Sequence, residues 1–84
     1  MDSRIPTRRG DVLILRTHNK TFSTHAVGFV ERDGQQDFNQ HPLNVMYVTD
    51  GSVAVHEAKA LVAPGRRIFF LNIDTGQWSV IAPA

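Results

Sequence analysis

Residues Asn44 to Ile73 read NVMYVTDGSVAVHEAKALVAPGRRIFFLNI, and a change of period inside that stretch decides the fold. Its opening, Asn44 to Thr49, is rich in β-branched and aromatic residues and predicts a strand. Asp50-Gly51-Ser52 breaks the pattern and offers Ser52 as an N-cap whose hydroxyl accepts from free helical N–H groups. From Val53 to Ala63 the apolar residues Ala54, Val55, Ala58, Leu61 and Val62 recur at helical spacing as one stripe, while His56, Glu57 and Lys59 point elsewhere. Val53 and Val55 are mediocre helix formers, so a strand continuing from Val45 is the competing reading. Pro64-Gly65 ends the helix, and Arg67 to Ile73 is the most strand-like segment of the chain. Eleven helical residues span about 16 Å and a six-residue strand about 20 Å. Tight turns at both helix ends therefore make the flanking strands parallel, through a crossover expected to be right-handed.

Outward from this unit, Asp11 to Thr17 reads as a strand, His18 to Thr21 as a turn, and Ser23 to Arg32 as a second strand. Gly28 inside that strand suggests a bulge or bend, and Asp33-Gly34 closes it with a turn. Gln35 to Leu43 is polar, contains Pro42 and reads as a loop. On the far side, Asp74 to Gln77 supplies a type I turn with Gly76 at the left-handed position of a hairpin bulge, and Trp78 to Ala82 returns as a strand. A helix followed by a Thr-Gly hairpin ending in Trp is an arrangement common in small bacterial domains. The fold class is α+β: one small domain over residues 11–84, with about five strands in a mixed, mostly antiparallel sheet and one helix, in the order β-β-β-α-β-β. Residues 1–10 read as a flexible basic arm.

The chain has 84 residues and no cysteine, which excludes a disulfide framework, a thiolate nucleophile and Cys-ligated zinc and favours a reducing, cytoplasmic setting. The opening MDSRIPTRRG lacks the apolar core of a secretion signal. The longest apolar runs, Val12 to Leu15 and Ile68 to Leu71, fall far short of the ~20 residues that span a bilayer, so no membrane association is expected. Arg4, Arg8 and Arg9 against Asp2 give the first ten residues +2, leaving −1 for the remainder of a chain whose total is +1. A domain of this size is held by only about 4 to 13 kcal/mol.

Side chains alternate across a strand, so Phe69, Leu71 and Ile73 share one face of the fourth strand and Ile68 and Phe70 the other. Leu13 and Leu15 against Val12 and Ile14 repeat the arrangement in the first. Both sheet faces are apolar, yet a single helix covers one. The uncovered face, assigned here to Ile68, Phe70, Val12 and Ile14, is shielded by curling of the sheet, by the loop from Gln35 to Leu43, or by a partner. The leading functional expectation is a non-catalytic protein-interaction or self-assembly module, most simply a homodimer.

No cofactor, metal site or enzyme activity is expected. His18, His25, His41 and His56 are scattered, and Ala60 stands where a zinc-protease helix needs its second His. A two-His site of His18 and His25 with Asp33 is conceivable across the first hairpin, as is a triad of Ser23, His25 and Asp33, but neither spacing is specific. The glycines stand alone and form no phosphate cradle. Arg9-Gly10-Asp11, Asn19-Lys20-Thr21 and Asp74-Thr75-Gly76 match an adhesion tripeptide, a glycosylation acceptor and an aspartic-protease tripeptide in letters only. The alternative function is nucleic-acid binding through Arg4, Arg8 and Arg9 in the arm and Arg66 and Arg67 entering an aromatic strand, since arginine pairs with phosphate and stacks on bases.

Overall fold

In the computed structural model of the chain, which describes residues 5–18, 21, 23–38 and 45–81, the predicted element order is present in full. β1 (Val12–His18), β2 (Ser23–Phe29) and β3 (Met46–Val48) precede α1 (Gly51–Leu61), and β4 (Ile68–Asn72) and β5 (Trp78–Ile81) follow it. The sheet order is β3-β2-β1-β4-β5. β1 and β4 are parallel, with Val12 opposite Ile68 and Leu15 opposite Leu71; the remaining pairs are antiparallel. β3 and β4 thus run in the same direction, as the crossover requires, but β2 and β1 lie between them. No helix among the described residues is long and apolar enough to cross a membrane.

The helix begins and ends two residues earlier than its sequence predicts. Asp50, not Ser52, is the N-cap: its Oδ1 accepts from the Ser52 N–H at 2.8 Å and the Ser52 hydroxyl at 2.7 Å. At the other end the Val62 N–H makes the last helical bond, to the Ala58 carbonyl, because Ala63 precedes a proline and is pushed away from helical angles. Ala63 to Arg66 then form a turn closed by the Arg66 N–H on the Ala63 carbonyl at 3.1 Å, with Gly65 at φ 81°. Proline followed by a residue at positive φ is the requirement of a type II turn.

Gly28 forms no bulge. It stays in register opposite Leu13, and its reason is clearance: a Cβ there would meet Phe38 Cε1 at 2.9 Å and Val45 Cγ2 at 3.0 Å. The hairpin between β4 and β5 follows its sequence, with Gly76 at φ 77° and its N–H on the Asn72 carbonyl.

The helix covers the face carrying Val12, Ile14, Val27 and Ile68, against which Ala54 and Ala58 are wholly buried. Small residues let the helix approach closely. This reverses the face assignment made from sequence: Val12, Ile14 and Ile68 are core residues under the helix, and Phe70 is half-buried beside them. The face away from the helix carries Leu13, Leu15, Phe69 and Leu71, closed at its centre by Ile5, Val30 and Phe38.

Ile5 and Thr7 are also buried, so residues 5–10 belong to the domain and are not a free arm. The Thr7 hydroxyl donates to the Gln35 carbonyl at 2.8 Å, the Gly34 N–H to the Thr7 carbonyl at 2.7 Å, and the Gly10 N–H to the Val30 carbonyl at 2.9 Å. β2 stops at Phe29 because the chain turns there to meet this segment. Buried Gln35 holds the turn, its Oε1 accepting from the Glu31 N–H at 2.8 Å and its Nε2 donating to the Asp37 carbonyl.

Candidate functional site

Three regions gather chemistry-bearing residues. The first lies where β1, β3 and β4 end and α1 begins. There the Ser23 hydroxyl meets His18 Nδ1 at 3.0 Å and accepts from Arg16 Nη2 at 3.1 Å. Asp33 lies beyond the opposite end of β2, where its Oδ1 accepts from the Arg9 N–H. Neither the Ser23-His25-Asp33 triad nor the His18-His25-Asp33 metal site is therefore assembled. His25 is buried against the helix start, its ring 6.0 Å from that of Phe70, with Nδ1 lacking a hydrogen-bond partner. The helix N-terminus is occupied by Asp50, whose carboxyl the Ser52 hydroxyl and N–H hold below its ordinary value. A carboxylate in that position opposes an incoming anion. Among the described residues no group of three His, Asp or Glu side chains could hold a metal ion; His41 lies outside them.

The second region is the opposite end of the sheet, where Arg8, Arg9, Arg66 and Arg67 do converge. Arg4 lies outside the described residues. Arg67 is committed to structure: its Nη2 donates to the Pro6 carbonyl at 2.9 Å and sits 3.8 Å from Asp11 Oδ2, while its Cζ lies 4.8 Å over the Phe69 ring. Arg66 lies against Gly10. Asp11, Asp33 and Asp37 share this end, Asp37 pairing with Arg32 at 3.6 Å. Of the gathered arginines, Arg67 is paired with a carboxylate, and Asp11, Asp33 and Asp37 lower the net positive charge of this end.

The third region is the flank of the sheet face opposite the helix. The register aligns Tyr47, Ala26, Leu15, Leu71 and Trp78 as one apolar row across all five strands. Leu15 and Leu71 at its centre are buried, but Tyr47 at one end is 58% exposed and Trp78 at the other 37% exposed. Val80 and Ile73, on the same face, are 43% and 47% exposed. Beside Tyr47 opens a recess of about 250 Å³ with Leu15 and Ala26 among its lining and Phe38, Asp37 and Ile73 around it. Trp78 also packs on β4, its ring 6.0 Å from Phe69. The recess is mostly apolar, with Thr17, Thr24 and Asp37 as its polar lining residues.

The chain matches no family model, no characterised protein and no solved structure. The site is therefore read from its geometry. Sequence reasoning found both apolar faces, but it missed Ile5 as a cover for one of them. The signal was present: Ile5 is a lone branched apolar residue in an otherwise polar segment. Tyr47 as an outward-facing anchor had no sequence signal, because it depends on β3 being an edge strand.

Proposed function

We propose that the protein is a non-catalytic association module that works through the sheet face opposite its helix. The observation supporting this is the exposed apolar flank of Tyr47, Ile73, Trp78 and Val80, arranged around a core that Ile5, Val30 and Phe38 close only at its centre. Scattered exposed apolar residues are ordinary, but a set on one face beside a recess marks an interaction surface. The simplest partner is a second copy, since two-fold homodimers are the commonest soluble assembly. A cysteine-free chain suits a reducing, cytoplasmic compartment. Nucleic-acid binding is the weaker reading, because Arg67 is committed to Pro6, Asp11 and Phe69 and three aspartates share that end of the sheet.

Sedimentation velocity from low micromolar to near-millimolar concentration tests the reading. Association should grow with concentration and weaken in at least one of Val80→Lys and Tyr47→Lys, which probe the two exposed ends of that face. A monomer throughout that range would end it.

A further inference from the structure

We infer that the second copy joins edge to edge, β5 pairing antiparallel with β5 of its partner about a two-fold axis at Ser79, so that two five-stranded sheets become one. This rests on the association reading above and names its partner and geometry.

The direction of the main-chain groups on β5 follows from one hydrogen bond. The Asn72 N–H donates to the Gln77 carbonyl at 2.8 Å while the Gly76 N–H donates to the Asn72 carbonyl, a bulge of Gly76 and Gln77 opposite Asn72 that turns the Gln77 carbonyl toward β4. Phe70 lies opposite Ser79 and Ile68 opposite Ile81. Hydrogen-bonded and non-bonded pairs alternate along an antiparallel ladder. Gln77 through its carbonyl, and Ser79 and Ile81 through both main-chain groups, therefore face β4, and Trp78 and Val80 direct theirs outward from the edge.

β5, four residues long, carries neither charge nor proline to block that edge. Proteins usually protect an outer strand with charge, proline, an internal bulge or extreme shortness. Trp78–Ile81 contains no charged residue and no proline, whereas the other edge, β3, is only three residues long and joins α1 directly. Trp78, Ser79 and Val80 are all exposed.

The pleat restricts the axis to a residue position, and among those within β5 Ser79 pairs both outward-directed residues. Residues directly opposite in a sheet must share a face, and a shift by one residue would reverse every side chain. A two-fold axis at Ser79 places Trp78 opposite the second copy's Val80 and the reverse, all on the face away from the helix. Those are the two residues whose main-chain groups point outward, so the pairing forms four N–H to carbonyl bonds. Two exposed apolar side chains per chain are covered at the same time, and the apolar row that ends at Trp78 continues into the second copy.

The absence of native cysteine permits a direct test by mild oxidation. In a non-hydrogen-bonded antiparallel pair the facing Cα atoms are about 4.5 Å apart, within disulfide range. Ser79→Cys should convert rapidly to a covalent dimer, whereas Ser52→Cys, equally exposed on the helix, should not. Val80→Pro removes an outward N–H while leaving the β4 ladder intact, and should give a folded monomer by sedimentation and circular dichroism; Val80→Lys serves should the proline variant fail to fold. Emission of the single tryptophan should shift to shorter wavelength as wild-type concentration rises and stay fixed in these variants. Tyr47→Lys, on the opposite edge strand, should leave the edge-paired dimer unchanged; if instead it weakens association while Ser79→Cys fails to cross-link and the Val80 variants still associate, the edge pairing is wrong and the face reading stands. A wild-type monomer at near-millimolar concentration overturns both.

Discussion

Asp11 and Arg67, 56 positions apart in the chain, hold the first and fourth strands together at the end where both begin. Asp11 Oδ1 accepts the Arg67 N–H at 3.1 Å, and the Val12 N–H returns a bond to the Arg67 carbonyl at 3.0 Å. Asp11 Oδ2 accepts the Arg8 N–H at 2.9 Å and lies 3.8 Å from the Arg67 guanidinium. One buried carboxylate thus fixes the N-terminal segment, β1 and β4.

Removing that carboxylate should leave two main-chain donors without partners at a buried position. Asp11→Ala should lower stability by about 2 to 4 kcal/mol, and Asp11→Asn, which keeps the acceptor oxygen, by about half as much. Urea denaturation measures both. A loss below about 0.5 kcal/mol for Asp11→Ala would mean that the contact holds nothing together.

Gly28→Ala should be costly for a reason local to Phe38. The added Cβ would approach the Phe38 ring closer than real contacts allow and crowd Val45, and overpacking of this kind costs about 1 to 3 kcal/mol. Combining it with Phe38→Leu should recover part of the loss, giving a coupling of at least about 0.5 kcal/mol in a double-mutant cycle. Strict additivity would show that backbone conformation, rather than the ring, demands glycine.

The elements were legible because their signals are local: the helical stripe of Ala54 and Ala58, the two-faced run of Ile68 to Leu71, the turn at Gly76. Which face the helix covers was not, because Val12 and Leu13 are equally apolar and only the three-dimensional approach of two alanines distinguishes them. The N-cap was misplaced because Asp50 and Ser52 are both good caps, and the structure joins them, Ser52 donating to Asp50. Thr7 is bonded to Gly34 and Gln35, and Ile5 clusters with Val30, Phe69 and Leu71, contacts distant in the chain that no window along it can register.

His25 presents an unusual case of a buried side chain that the core would tolerate losing. Its Nδ1 has no partner, and an unsatisfied buried polar atom costs about 1 to 3 kcal/mol. His25→Leu, of similar reach and without polar atoms, should leave stability unchanged or raise it by about 1 kcal/mol. A loss of more than about 1 kcal/mol in thermal or urea unfolding would show that the imidazole makes a bond the interior depends on.

Asp50 ties helix stability to acid. Its carboxyl is lowered from the ordinary 3.8 by the Ser52 hydroxyl first, then by the N–H groups of Ser52 and Val53, with a smaller contribution from His25. A carboxyl whose value falls on folding binds fewer protons in the native than in the unfolded chain, so its contribution is complete above 3.8. It is lost as pH falls through the lowered value of the folded protein. Helix protection measured by amide exchange at Val53 and Ala54 should therefore fall on acidification from about pH 5 to pH 2. Asparagine caps a helix as well as aspartate but does not titrate, so Asp50→Asn should keep its protection over the same interval. Equal acid sensitivity in wild type and Asp50→Asn would place the titrating group elsewhere in the molecule.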